Sequence, residues 1–222
     1  MPNIFPEQGL SLKEIKNEIE QLKQKDVQWK TGKSFCLSYY GGEKADQIAK
    51  EVIAEFSCDN ALNPTAFPSL NKMENEVVMM LKEILGGDQH SRGTMTTGGT
   101  ESILLAVKTA REWARTNKPK ATKPNIIVPK TIHPAFQKAC HYFGIEIVEL
   151  AVDPTTFKPD IKDYKQKLND QTILLVGSAP SYPHGVIDPI EDIAMLAHNN
   201  NCLLYTSPSP RDQRGSRMPS SA

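Results

Sequence analysis

The residues with the clearest chemical use lie in one stretch, Gly93-Thr-Met-Thr-Thr-Gly-Gly-Thr-Glu-Ser102. It runs into a helical pattern in which Ile103, Val107, Ala110 and Ala114 recur at three- and four-residue spacing, with Lys108, Arg111, Glu112 and Arg115 on the other side. Glycine lets a backbone approach a ligand closely and adopt positive φ. The first N–H groups of a helix have no partner within it, so a Gly-Gly-Thr turn aims donors at an anion, most often a phosphate. Gly93 to Thr100 comes near the spacing of a nucleotide-phosphate loop, but Gly99 stands where the lysine belongs. The dinucleotide pattern G-x-G-x-x-G does not fit either. On spacing alone, a phosphate cup and an ordinary capped helix both remain open.

The elements that must position this stretch follow from periodicity. Ser11 and Glu14 form a capping box at the start of a helix whose apolar stripe is narrow: Leu12, Ile15, Ile19 and Leu22. Such a stripe suits packing on another surface. Ala45 to Phe56 carries a second helical pattern, and the proline-rich connector Asn60–Ser69 cannot be helical throughout. Leu70, Met73, Val77, Met80, Leu81 and Ile84 mark a third helix ended by Gly86-Gly87, with the methionines read as core filler. Beyond the cup helix the pattern changes to strands at 125–128, 145–150, 172–176 and from Cys202, separated by helices at about 134–143, 160–168 and 190–198. Alternating strands and helices predict an α/β fold with parallel pairing and right-handed crossovers.

Composition narrows the function classes. Lys+Arg and Asp+Glu balance at 26 each, so no nucleic-acid partner is expected. No run approaches ~18 apolar residues, so no membrane span is expected. The start Met1-Pro-Asn-Ile-Phe-Pro-Glu does not read as a signal peptide. Cys36, Cys58, Cys140 and Cys202 are scattered and read as reduced, structural thiols of a cytoplasmic protein, with no metal site.

Three stretches, in order, carry a family resemblance: Thr96-Thr-Gly-Gly-Thr-Glu-Ser-Ile-Leu-Leu-Ala-Val-Lys108, His133-Pro-Ala-Phe-Gln-Lys-Ala-Cys-His-Tyr-Phe-Gly144 and Val176-Gly-Ser-Ala-Pro-Ser-Tyr-Pro-His-Gly-Val-Ile-Asp-Pro189. They resemble the sphingosine-1-phosphate lyases and their bacterial relatives within the pyridoxal-phosphate-dependent (group II) decarboxylase family. The likeness runs from roughly Gly9 to about Asn201. It implies a fold-type I large domain, parallel-rich with flanking helices and preceded by a helical N-terminal arm that packs across a homodimer. It also implies pyridoxal 5'-phosphate as cofactor. Gly98, Gly99 and Thr100 would form its phosphate cup, His133 would stack on its pyridine ring, and Ser178 would donate a hydrogen bond to it. His184 and Asp188 are read as shaping the loop, and His90, His141 and His198 as surface residues.

For the substrate, the resemblance implies Tyr39, matching a tyrosine that reaches toward the partner subunit's active site, and Asn63. An ordinary loop role for Tyr39 remains open. Lyases of sphingoid phosphates usually carry a histidine where this chain has Asn63, and asparagine cannot exchange a proton near neutral pH as histidine does. Two further family parts have no counterpart: the aspartate that pairs with the pyridine nitrogen, and the Schiff-base lysine. No lysine follows Lys167, and Asp212 has no matching context, so no catalytic residue is assigned.

Tyr205 to Ala222 is rich in serine, proline and arginine and resembles nothing in the family. It is expected to be disordered and foreign to the parent protein. The expected organisation is therefore a helical arm over 1–68, a partial cofactor-binding domain over 69–204 and a tail over 205–222. The expected parent is a carbon–carbon lyase or carboxy-lyase cleaving a long-chain base phosphate by retro-aldol chemistry. The alternatives are an amino-acid decarboxylase of the same family and a non-catalytic dimer-partner or binding chain.

Overall fold

A computed structural model describes residues 8–34, 38 and 40–207. The chain divides into two compact units at Asn63 and Pro64, a few residues before the expected boundary at 68.

In the first unit, α1 spans Leu12–Lys23 and α2 spans Glu43–Glu55, with a 3₁₀ turn at Trp29–Thr31 between them. The capping box at α1 is present: the Glu14 N–H donates to Ser11 Oγ at 3.3 Å, and the Ser11 N–H donates to Glu14 Oε2 at 2.7 Å. Neither helix buries a residue, and Leu12 and Leu22 on the α1 stripe stay exposed.

The second unit begins with α3 (Pro68–Ile84), whose proline at its first position suits a helix start. The methionines of α3 are not core: the helix buries no residue, and Met79 and Met80 stand exposed. The remaining elements are α4 (Gly99–Asn117), β1 (Asn125–Pro129), α5 (Ala135–Phe143), β2 (Glu146–Leu150), α6 (Ile161–Lys167), β3 (Thr172–Ser178), α7 (Ile190–Asn199) and β4 (Leu203–Ser207). The four strands form one parallel sheet in the order β2-β1-β3-β4. Central β1 and β3 are buried along their whole length, as expected of parallel strands covered on both faces.

Two apolar layers cover the sheet. On one face, Ile103, Val107, Ala110 and Ala114 of α4 and Phe136, Ala139 and Cys140 of α5 pack on Ile126, Val128, Leu174 and Val176. On the other, Tyr164 of α6 and Ile193 and Ala197 of α7 pack on Ile127 and Leu175. Full burial of a side chain such as Phe136 is worth about 1.5–3 kcal/mol, so these layers hold the unit together.

The last strand runs further than expected. Tyr205, Thr206 and Ser207 pair with Val176, Gly177 and Ser178, and the Tyr205 ring meets Phe136 edge-on at 5.4 Å. These three residues belong to the sheet rather than to a disordered tail. The rest of the expected tail, 208–222, lies outside the described residues.

Candidate functional site

The strand order has one consequence for ligand binding. After β1 the chain turns to the face carrying α5, and after neighbouring β3 it turns to the face carrying α7. The two loops diverge and leave a crevice beyond the carboxyl ends of β1 and β3, where open parallel sheets take their ligands.

Helix α4 delivers its N-terminus to this edge. At its other end, Lys118 Nζ donates to the Thr172 carbonyl at 2.8 Å, at the start of β3. A 19-residue helix is about 28 Å long, longer than the roughly 23 Å of a seven-residue strand, so its first turn reaches past the strand ends. Gly98 lies at φ 155°, ψ 176°, a backbone region almost confined to glycine, and a Cβ at Gly98 or Gly99 would meet nothing within 4 Å. The loop is open where those Cβ atoms would point.

No side chain caps the first turn of α4. The nearby polar groups are turned to other uses. Glu101 Oε2 accepts the Thr97 N–H at 2.6 Å and the Thr97 hydroxyl at 2.7 Å, and the Thr96 and Ser102 hydroxyls bond each other at 2.7 Å. The Thr97 bonds hold the Glu101 carboxyl below its usual range. An exposed, uncapped helix start with Thr100 beside it fits a phosphate group. Sequence reasoning passed over Thr96, Thr97, Glu101 and Ser102. The signal was the Thr97–Glu101 spacing, one residue longer than a capping box.

His133 stands exposed in the loop from β1 to α5, and its Nδ1 accepts the Ala135 N–H at 3.1 Å. That bond fixes the ring's orientation and places its hydrogen on Nε2. Ser178 ends β3 and is buried. Its N–H donates to Asp188 Oδ2 at 2.7 Å, and its carbonyl accepts the Asp188 N–H at 2.9 Å. Burial raises the Asp188 carboxyl above its usual range, against the opposing pull of the Ser178 N–H and Lys158. Asp188 is thus the neck of the β3–α7 loop, consistent with the loop-shaping role read from the sequence.

Gly98, Gly99, Thr100, His133 and Ser178 therefore gather at one edge of one sheet. Asn63 belongs to the first unit, where it is exposed. Tyr39 lies outside the described residues. Exposed His90, His141 and His198 take no part, and no cluster that could hold a metal occurs among the described residues.

Comparison with known proteins agrees with this fold. The chain is 47% identical over 195 residues to the sphingosine-1-phosphate lyase of Drosophila melanogaster, covering 86% of this chain and 35% of that protein. Among solved structures, the sphingosine-1-phosphate lyase of Burkholderia pseudomallei superposes with a TM-score of 0.85 at 33% identity, covering 93% of this chain and 49% of that one. Glutamate decarboxylase of Lactobacillus brevis superposes with a TM-score of 0.76 at 19% identity, over 93% of this chain and 49% of that one, and shows the shared fold. The chain thus spans about a third to a half of the length of these relatives. Residues 69–207, well over half of the chain, match the class-V aminotransferase family, and the chain belongs to that family.

Proposed function

We propose that this chain carries the phosphate- and ring-holding half of a pyridoxal-phosphate site in a carbon–carbon lyase that cleaves a long-chain base phosphate. The observation that carries the reading is the uncapped α4 N-terminus, with Gly98 in its glycine-only conformation, at the same sheet edge as His133 and Ser178. In this reading the N–H groups of Gly99 and Thr100 and the Thr100 hydroxyl bind the cofactor phosphate. The His133 ring, aimed by Ala135, stacks on the pyridine ring and keeps its plane fixed. Ser178 supplies a hydrogen bond from the end of β3. When bound, the cofactor supplies an electron sink for bond cleavage next to the substrate nitrogen. The residue that bonds the cofactor covalently is not assigned to any lysine of this chain.

The substrate class is supported by 47% identity to a sphingosine-1-phosphate lyase. One observation favours a second reading, an amino-acid decarboxylase: Asn63 stands where the sphingoid lyases usually place a histidine. A homodimer is supported by the exposed apolar stripe of α1 and the unburied face of α3, which a second copy would cover. A helical arm ahead of the cofactor domain is supported by the compact first unit. Free Cys58, Cys140 and Cys202 fit the reducing cytoplasm, and among the described residues no helix is long and apolar enough to cross a membrane.

Incubating the purified chain with pyridoxal phosphate and a long-chain base phosphate tests this reading. Saturable cofactor binding is expected, without aldehyde release above the free-cofactor rate. Aldehyde release above that rate would overturn the half-site assignment, and absence of saturable binding would overturn the cofactor itself.

A further inference from the structure

The β1–β3 pairing stops at Ile127 and Leu175, three residues before β3 ends. On the opposite side β3 pairs with β4 to its last residue, and the Ala179 N–H reaches the Ser207 carbonyl at 3.4 Å. Amides alternate sides along a strand, so the Ser178 N–H faces the side that β1 has left. A buried N–H there needs a partner. Asp188 Oδ2 takes it at 2.7 Å, and the Asp188 N–H returns to the Ser178 carbonyl at 2.9 Å. This reciprocal pair closes the neck of the β3–α7 loop beside the crevice.

The loop is held inside and at its tip as well. The Ser181 N–H bonds the Val186 carbonyl and the Gly185 N–H bonds the Ser181 carbonyl, both at 2.7 Å. The His184 ring stacks on Phe157 at 4.3 Å, with 10° between the planes. Phe157 has φ 57°, unusual for a bulky residue. It belongs to a turn in which Asp153 Oδ1 accepts the N–H groups of Thr155 and Thr156. At the neck, a Cβ on Gly177 would come within 2.8 Å of Ile190, so α7 lies close against the end of β3.

Asp188 is a costly way to close a loop. It is 2% exposed, and its Oδ1 is buried without a hydrogen-bond partner, as is the Ser181 hydroxyl. A half-satisfied buried carboxylate destabilises a fold. Local rules are broken in this way where something is gained elsewhere, commonly at a site.

Resting on the cofactor reading above, we infer that Asp188 is a positioning residue. It captures the leftover Ser178 N–H and fixes the β3–α7 loop as a preformed wall of the crevice. It touches neither cofactor nor substrate; it acts through Ser178. Preorganisation of this kind raises affinity by removing the ordering cost from the binding step.

Amide hydrogen exchange and calorimetric titration with pyridoxal phosphate, on the full chain and its Asp188→Ala and Asp188→Asn variants, test the inference. Asp188→Ala should speed exchange across 179–187 about tenfold and weaken cofactor binding about tenfold, with amides of α4, β1 and α5 unchanged. Asp188→Asn keeps an acceptor oxygen and should hold both quantities within about twofold of the parent chain. Unchanged loop exchange in Asp188→Ala, equally faster exchange throughout the second unit, or an Asp188→Asn variant as impaired as Asp188→Ala would each overturn it. If the parent chain binds no cofactor while Asp188→Ala alone frees the loop, the clasp stands and the cofactor reading falls.

Discussion

Thr97 and Glu101 grip each other across the start of α4: one carboxylate oxygen of Glu101 accepts both the Thr97 N–H at 2.6 Å and its hydroxyl at 2.7 Å. The grip shapes the turn ahead of Gly98 and Gly99 without occupying their outer side. Glu101→Ala should therefore weaken pyridoxal phosphate binding about fivefold, the effect of losing both exposed bonds that shape the turn, while leaving the fold intact. Calorimetry on the variant checks the affinity. The pH dependence has a definite sign. The folded-state pKa of Glu101 is lowered, chiefly by the Thr97 hydroxyl and then by its N–H. The grip is fully present above the unfolded-state value and is lost as pH falls through the lowered folded value. Exchange at 96–98 should accelerate only in that acid window.

Tyr205 tests whether the last described strand is packed on the core. Its ring lies edge-on to fully buried Phe136 at 5.4 Å, and its backbone pairs with Val176. Tyr205→Ala should cost about 2 kcal/mol of unfolding free energy, part burial and part aromatic contact. Phe136→Ala should cost about 3–5 kcal/mol. Urea denaturation measures both. A Tyr205→Ala variant as stable as the parent would return residues 205–207 to the tail.

Buried Asp188 predicts a pH signature opposite to that of Glu101. Desolvation raises its folded pKa above the unfolded value, so its charging weighs against the folded state. Its contribution is most favourable below the unfolded value and declines as pH rises through the raised folded value. Asp188→Asn removes this titration. Thermal melting from pH 4 to pH 8 should show the variant gaining on the parent chain as pH rises. Parallel curves for the two proteins would contradict the assignment.

Periodicity made much of this fold legible. The four α4 positions at three- and four-residue spacing, Ile103, Val107, Ala110 and Ala114, are the four that α4 buries. The alternation of strands and helices after residue 124 predicted the parallel sheet. A periodic pattern shows which face of a helix is apolar, but not what covers it, and so Met73 and Met80 of α3 read as core yet stand exposed. Composition over a long window hid the end of β4. Tyr205, Thr206 and Ser207 suit the strand begun by Leu203 and Leu204, but the serines and prolines after them dominated the reading. For the proposed site, motif resemblance pointed to His133 and Ser178. The neck formed by Asp188 depends on a ladder ending at Leu175, which no local pattern records.

In the proposed site the α4 N-terminus binds the cofactor through its phosphate. Calorimetric titration of the chain with pyridoxal phosphate and, separately, with pyridoxal tests it most directly. Saturable binding of the phosphate ester is expected, with at least about tenfold weaker binding of pyridoxal and loss of that difference in Gly98→Val, where a side chain is forced onto a φ of 155°. Equal binding of both compounds, or a preference for the phosphate that survives Gly98→Val, would contradict it.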